Sequence, residues 1–257
     1  MNIVLIGSGN IATHLGKAFA DAGHHIAQVY SRTLANADAL ANVLSAQAID
    51  NLDDLISNAD LYLLAVSDSA LPELAGKLPS KLNGIIAHCS GATNISILQH
   101  FQNHGVIYPV QSFSKSKALD LSHTPFGIEG NQPEVLQKLS SLAQQLSDKV
   151  FPCDSSQRLA LHVSAVFANN FSNALFQVSY ELLQEHNLSF DLIRPIIQET
   201  AEKTQNHEPS QVQTGPAVRN DQTTMLTHFN FLSPHPDWQL IYQKISDLII
   251  KTRENKS

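Results

Sequence analysis

The N-terminus joins a short apolar run to a glycine-rich turn, and this combination restricts the fold more than any other feature. Residues 1–6 are mostly apolar, and the turn Gly7-Ser8-Gly9-Asn10-Ile11-Ala12 follows at once. Apolar side chains then recur at helical spacing as far as Gly23. A strand that runs through G-x-G-x-x-A into a helix is typical of a dinucleotide-binding βα unit. In that unit the pyrophosphate lies against the helix N-terminus.

The end of the second predicted strand indicates which dinucleotide binds. Residues 25–30 have strand character, and Ser31-Arg32-Thr33 follows them. NAD-binding units usually place an Asp or Glu here for the ribose 2′-hydroxyl, but no carboxylate lies between Tyr30 and Asp38. A guanidinium flanked by two hydroxyls suits a 2′-phosphate, because it forms charge-assisted hydrogen bonds. The sequence therefore predicts NADP as the cofactor.

Short apolar strands alternate with helical segments through residues 1–152, which predicts a parallel α/β sheet covered on both faces. Ligands bind beyond the carboxyl ends of such strands, where polar residues follow several of the predicted ones. The first fold prediction is therefore an N-terminal Rossmann dinucleotide-binding domain. The predicted cofactor-binding residues are Gly7, Ser8, Gly9, Asn10, Ile11, Ser31, Arg32, Thr33, Val66, Ser67, His88 and Ser90.

The periodicity becomes helical almost throughout after residue 152. We expect a Rossmann NADP-binding domain over 1–152 and an all-α domain for substrate binding and dimerisation over 153–257. The helical half has more apolar helix faces than a small bundle can cover by itself, which predicts a homodimer. The predicted helices cover residues 154–186, 189–206, 216–230 and 236–253.

Four segments spread along the chain carry a resemblance to a known family. They are Val29–Thr33, Tyr108–Lys115, Gln157–His162 and Gln213–Asp221. With them the chain resembles the bacterial Rossmann-like proteins that have a C-terminal domain of unknown function 2520 (DUF2520). These proteins are similar to 6-phosphogluconate dehydrogenases and pyrroline-5-carboxylate reductases. The resemblance implies an NADP-dependent oxidoreductase with a helical second domain.

Dehydrogenases of that superfamily have an Asn-Asn pair and a catalytic lysine three positions before it. Asn169-Asn170 resembles the pair, but Val166 stands at the lysine position. A hydroxyacid oxidation that uses this lysine is therefore not implied. His162, one turn earlier, and Lys115, beyond a predicted strand, are the candidate proton donors. Pyrroline-5-carboxylate reductases transfer hydride to an imine without such a lysine, so its absence does not exclude catalysis.

A polar stripe follows the long helix predicted over 154–186. At 100° per residue, Arg158, His162, Asn169 and Asn173 fall within about 60° of one another. Such groups are costly to bury without partners. They either satisfy one another inside a bundle or dimer core, or they face the cleft beside the nicotinamide. We favour the cleft, because Arg158 begins the same stripe.

The segment Thr214-Gly215-Pro216 precedes another predicted helix, and proline suits a first helical turn. Thr214 either caps this helix or donates a hydrogen bond to a substrate oxygen. Arg219 and Asp221 either hold a substrate carboxylate or form an ion pair between helices. The predicted catalytic residues are His162, Lys115, Asn169, Asn170 and Thr214.

Composition argues against several other classes of protein. A net charge of −7 without a basic block argues against nucleic acid as a partner. No apolar run approaches the ~20 residues of a membrane span, and the 2 cysteines suit a reducing cytoplasm. His100 and His104 have the one-turn spacing of a ligand pair, but no acidic residue lies beside them, so we expect no metal site. We expect a cytoplasmic NADP-dependent reductase of a small carbonyl or imine substrate. The alternative is a non-catalytic NADP(H)-binding sensor.

Overall fold

The computed structural model describes residues 1–114 and 119–254, and the strands described there form one sheet of 8. The strands are β1 (Asn2–Ile6), β2 (His25–Tyr30), β3 (Gln47–Ile49), β4 (Leu61–Leu64), β5 (Ile85–His88), β6 (His104–Pro109), β7 (Phe126–Gly130) and β8 (Val150–Pro152). Their order is β3-β2-β1-β4-β5-β6-β7-β8. All neighbours are parallel except β6 and β7, whose connection forms no helix among its described residues. The Rossmann prediction is confirmed.

Helices flank the sheet and make up most of the chain after β8, as predicted. They are α1 (Asn10–Asp21), α2 (Leu34–Leu44), α3 (Leu71–Lys77), α4 (Pro133–Ala143), α5 (Ser155–Ala165), α6 (Ser172–Glu185), α7 (Arg194–Asn206), α8 (Gln222–Phe231) and α9 (Pro236–Glu254). A π-helical segment, Val166–Phe171, joins α5 to α6. In the part of the chain that the structure describes, no helix has both the length and the apolar character needed to cross a membrane.

The sheet has an apolar core on each of its faces. Alternate residues of β1 belong to different cores, because successive side chains of a strand point to opposite sides. Ile3 and Leu5 pack in one core, and Val4 and Ile6 pack in the other. All four side chains are fully buried. The carboxyl end of β1, where the glycine turn begins, is thereby fixed from both sides.

The chain forms two compact units, Met1–Asn169 and Asn170–Ser257. The division falls inside the π-helical segment, so α5 belongs to the first unit together with the sheet. A capping box begins α5: Asp154 accepts from the Gln157 N–H at 2.8 Å, and the Gln157 side chain accepts from the Asp154 N–H at 3.0 Å. The N-terminus of α5, the last α-helix of the first unit, is therefore stabilised by both hydrogen bonds of a capping box.

Two helical details differ from the sequence predictions. The expected helix over 216–230 begins only after Asp221, because Asn220 has a φ of +53°, which a right-handed helix cannot continue through. The Asp221 side chain caps α8 by accepting from the Thr224 N–H at 3.1 Å. Asp221, and not Thr214, is therefore the N-cap residue of this helix.

The π-helical segment changes the angular relation of residues before and after it. A π turn closes i→i+5 hydrogen bonds, so the 100° rotation per residue of an α-helix does not apply there. The polar stripe predicted from Arg158 to Asn173 crosses this segment. The 100° calculation behind this stripe therefore does not hold across the π-helical segment.

Candidate functional site

A cavity of about 560 Å³ lies in the first unit at the carboxyl end of the sheet. Residues that follow three strands line it: the glycine turn after β1, the segment 30–32 at the end of β2, and the segment 65–67 after β4. The strand order reverses between β1 and β4, and open α/β sheets bind ligands at such a point. This cavity is the candidate cofactor site.

The glycine turn and α1 provide space and hydrogen-bond donors for a pyrophosphate. Gly7 has a φ of +126°, and a Cβ there would lie 2.3 Å from the Ala65 carbonyl oxygen, so only glycine fits. Within the described chain, a Cβ on Gly9 would meet no atom within 4 Å, and no side chain caps α1. The first N–H groups of α1 and its positive dipole end therefore fit an anion.

Another part of the cavity lining carries two cations and one carboxylate. Ser31 and Arg32 line it together with Glu73 and Lys77 of α3. The Lys77 Nζ atom lies 2.5 Å from Glu73 Oε1. Neither α3 residue is among the predicted site residues, because the motif that indicates the dinucleotide lies directly after β2 and α3 is distant from it in sequence. The positive charges of Arg32 and Lys77 fit a phosphate. The carboxylate in this cavity, Glu73, comes from α3 and not from the segment after β2.

The segment after β6 is held against α1 by two hydrogen bonds. The Asn10 Nδ2 group donates to the Phe113 carbonyl oxygen at 2.8 Å, and His14 Nε2 donates to the Ser114 carbonyl oxygen at 2.8 Å. Phe113 and Gln111 also line the cavity. The predicted cofactor residue Asn10 thus has a second role, since its side chain positions one wall of the site.

His162 on α5 contacts Tyr108 at the end of β6. The Tyr108 hydroxyl lies 3.1 Å from His162 Nδ1, and the two rings meet edge to face with centroids 6.0 Å apart. A Cβ on Gly91 would lie 2.6 Å from His162 Nδ1 and 2.8 Å from Tyr108 Cε2, so a glycine is required beneath the pair. His162 is one of the predicted catalytic residues, and Tyr108 is not. The available signal was its hydroxyl near the carboxyl end of a predicted strand.

The electrostatics of Tyr108 favour its protonated form. Burial raises the pKa of Tyr108, the negative charge of Asp68 raises it further, and the positive charge of Arg158 opposes this shift. A protonated hydroxyl both donates and accepts hydrogen bonds, so it can hold His162 Nδ1 in either role. Asp68, whose charge acts on Tyr108, directly follows Ser67, which lines the cavity. The Tyr108–His162 pair is therefore at the same edge of the sheet as the cavity.

Arg158 is fully buried, so the interpretation that placed it in the cleft is wrong. Its guanidinium pairs with Glu129 of β7 and donates to the carbonyl oxygens of Ser90 at 3.1 Å and Thr93 at 2.6 Å. A buried charge requires such partners. Arg158 thereby fixes the loop after β5, including the Gly91 position that the Tyr108–His162 pair needs.

His88 and Ser90, two predicted cofactor residues, lie in the interior beside Arg158 and are not among the described residues of the cavity lining. The Ser90 N–H donates to His88 Nδ1 at 3.1 Å, and the Ser90 hydroxyl donates to Thr93 Oγ1 at 2.8 Å. Burial lowers the pKa of His88 to about 3, and the Arg158 charge contributes to the shift. Both residues shape the loop after β5.

The remaining predicted site residues lie elsewhere or outside the described chain. Thr33 is the N-cap residue of α2 and is not among the described residues that line the cavity. Asn169 and Asn170 are exposed within the π-helical segment. Thr214 lines an apolar cavity of about 440 Å³ in the second unit. Lys115 lies outside the described residues. Their catalytic roles stay predictions.

The part of the chain that the structure describes contains no group of three or more His, Cys, Asp or Glu side chains that could hold a metal ion.

Comparison with known families matches residues 1–111 to a Rossmann-like domain and residues 124–249 to the domain of unknown function DUF2520. Among curated proteins, none matches the chain.

Solved structures extend these family matches. A candidate NADP oxidoreductase from Bacteroides fragilis is 37% identical, with a TM-score of 0.87 over 97% of this chain and 98% of that one. A pyrroline-5-carboxylate reductase from Streptococcus pyogenes has the same fold at 14% identity, with a TM-score of 0.65 over 98% of each chain. An imine reductase from Myxococcus stipitatus in complex with NADP+ also has this fold. It is 15% identical, with a TM-score of 0.65 over 99% of this chain and 93% of that one.

Proposed function

The chain belongs to the family that combines a Rossmann-like N-terminal domain with a C-terminal DUF2520 domain, and on this premise we propose that it is an NADP-dependent reductase of a small carbonyl or imine compound. The observation that carries the proposal is the cavity at the switch point of the sheet. It combines the uncapped N-terminus of α1 with Arg32 and Lys77. These groups match the pyrophosphate and the 2′-phosphate of NADP.

The Tyr108–His162 pair supports a reductive reaction. NADPH, when bound, supplies a hydride to the substrate carbon. The chain must then supply a proton to the substrate oxygen or nitrogen. His162 in its imidazolium form donates this proton from Nε2 and is left as neutral imidazole. Its Nδ1–H donates to the Tyr108 hydroxyl oxygen and so holds the ring in place. Gly91 and the buried Arg158 keep the pair in place from the loop below.

The cofactor part of the proposal is tested by calorimetric titration of the parent protein with NADP+ and NAD+. We expect NADP+ to bind more tightly. Arg32→Ala should weaken NADP+ binding by about tenfold or more, since hydrogen bonds to charged groups contribute ~1.5–3 kcal/mol. Arg219→Ala makes the same change of charge in the second unit and should leave the affinity unchanged. Equal NADP+ affinity in Arg32→Ala and the parent would remove the argument for a 2′-phosphate site.

The catalytic part is tested by NADPH consumption with a panel of oxo acids and cyclic imines. A general acid typically contributes ~10²–10⁴-fold, so His162→Ala should lower turnover by that order while NADP+ affinity stays at the parent value. Lys115→Ala provides the comparison for the second predicted donor. Tight NADP+ binding without turnover of any compound would favour the non-catalytic sensor instead.

A further inference from the structure

The short helix α3 places an ion pair in the wall of the cofactor cavity. Glu73 and Lys77 are one helical turn apart, and both line the cavity next to the segment Tyr30 to Arg32. Their side chains are 72% and 62% exposed, so ligand atoms in the cavity can reach them. An i,i+4 pair on a helix surface ordinarily adds a little helix stability. Here the same pair faces the proposed 2′-phosphate site.

The electrostatics connect this pair with Arg32. The hydrogen bond and charge of Lys77 lower the pKa of Glu73, and the charge of Arg32 lowers it further. The hydrogen bond and charge of Glu73 raise the pKa of Lys77. One carboxylate thus lies within the field of two cations. This is the arrangement that a doubly charged phosphate can exploit, since it attracts both cations more strongly than a single carboxylate does.

We propose that Lys77 is a second determinant of cofactor choice and that Glu73 competes with the 2′-phosphate for it. The inference rests on the proposed NADP function. Arg32 binds phosphate oxygens in a planar, bidentate manner, and Lys77 adds a point charge to the remaining oxygen. Glu73 holds Lys77 in the cavity wall and must release it when the phosphate binds. The carboxylate therefore reduces the affinity for NADP that the two cations would otherwise give.

The test uses two nucleotides that differ only in the 2′-phosphate, adenosine 2′,5′-bisphosphate and 5′-AMP, titrated into the full-length protein. Lys77→Met should weaken bisphosphate binding about threefold to fivefold, the upper part of the range for an exposed charge pair, and leave 5′-AMP binding unchanged. Glu73→Gln should tighten the bisphosphate by a similar factor. Lys81→Met removes an exposed lysine whose Nζ lies 3.4 Å from the Asp53 carbonyl oxygen, and it should change neither affinity.

The outcomes separate this inference from the proposed function. Parent-like bisphosphate binding in Lys77→Met, or weaker binding in Glu73→Gln, overturns the roles of Lys77 and Glu73. If Arg32→Ala still weakens the bisphosphate in that case, the NADP proposal stands. If the parent protein does not distinguish the two nucleotides, the 2′-phosphate site itself fails and the inference fails with it. A loss of helix stability without a change in nucleotide preference also contradicts the proposed roles.

Discussion

The two compact units bury their apolar side chains to very different degrees. In the first unit, residues Ile3–Ile6 of β1 are fully buried between two layers of helices. In the second unit, the described apolar side chains that become buried are Ala217, Met225 and Leu232. Large apolar side chains there that are at least 60% exposed include Leu192, Ile196, Leu226 and Leu248.

The apolar core therefore lies mainly in the first unit, where the exposed large apolar side chains include Leu159, Val163 and Phe167 near its C-terminal end. A sheet covered on both faces hides its apolar residues within one chain, whereas helices with apolar stripes need a further surface to cover them. Contiguous exposed apolar patches mark interaction sites in stable proteins. We expect a second copy of the chain to cover these helices, which is the homodimer that the sequence predicts. The first unit would then carry the cofactor chemistry, and the second would carry the assembly.

One arginine ion pair from each unit allows a matched comparison. Arg158 in the first unit is fully buried against Glu129, whose side chain is only 14% exposed. Arg194 in the second unit pairs with Asp191 while both side chains remain mostly exposed. Breaking a buried pair leaves an uncompensated charge, whereas an exposed pair is replaced by water. The two arginines therefore offer a matched test of where the molecule depends on its polar contacts.

The largest effect is expected from Arg158→Met, which keeps an apolar stem and removes the charge. It should lower the free energy of unfolding by about 3–5 kcal/mol, because Glu129 is left buried without its partner. Arg194→Met should change it by less than about 1 kcal/mol. Urea unfolding monitored by circular dichroism measures both. Similar losses in the two variants would mean that the units do not differ in this respect.

Acid is expected to have a smaller effect per pH unit, and this effect should come from the first unit. His88 has a pKa of about 3 in the folded protein, against about 6.5 for an ordinary histidine. Between these values the unfolded chain binds a proton that the folded chain does not. The free energy of unfolding therefore falls as the pH falls from about 6.5 towards 3.

His88→Asn removes this titration and keeps an acceptor for the Ser90 N–H. Its stability should fall less steeply in that window, by up to ~1.4 kcal/mol per pH unit, than the stability of the parent. Urea unfolding at a series of pH values provides the comparison. Equal pH slopes in the variant and the parent would show that His88 does not make the first unit acid-sensitive.

The first unit could be predicted from the sequence in most of its detail. Apolar strands, the turn from Gly7 to Ala12 and the polar strand ends are local patterns, and they placed the sheet and much of the cavity lining. Lys77 could not be found in this way, because it lines the cavity together with residues 30–32 only through the tertiary fold. Tyr108 and Gly91 become significant only once α5 places His162 over them.

The helical region shows where periodicity is insufficient. A rotation of 100° per residue assumes an unbroken α-helix. The π-helical segment Val166–Phe171 has a different rotation per residue, so helical faces calculated across it are not valid. The late start of α8 depends on the left-handed conformation of Asn220, which helical periodicity does not reveal. Arg158 looked like a cleft residue because its partner Glu129 is distant in sequence.

The molar mass in solution tests the contrast between the units most directly. Light scattering at micromolar concentration should give twice the 28.1 kDa mass of one chain. Leu248→Lys on α9 should shift the protein towards the monomer, while Val43→Lys on α2, a position 59% exposed in the first unit, should leave the dimer intact. A parent protein that scatters as a 28.1 kDa monomer would contradict the account, because the apolar faces of the second unit would then be stable in water.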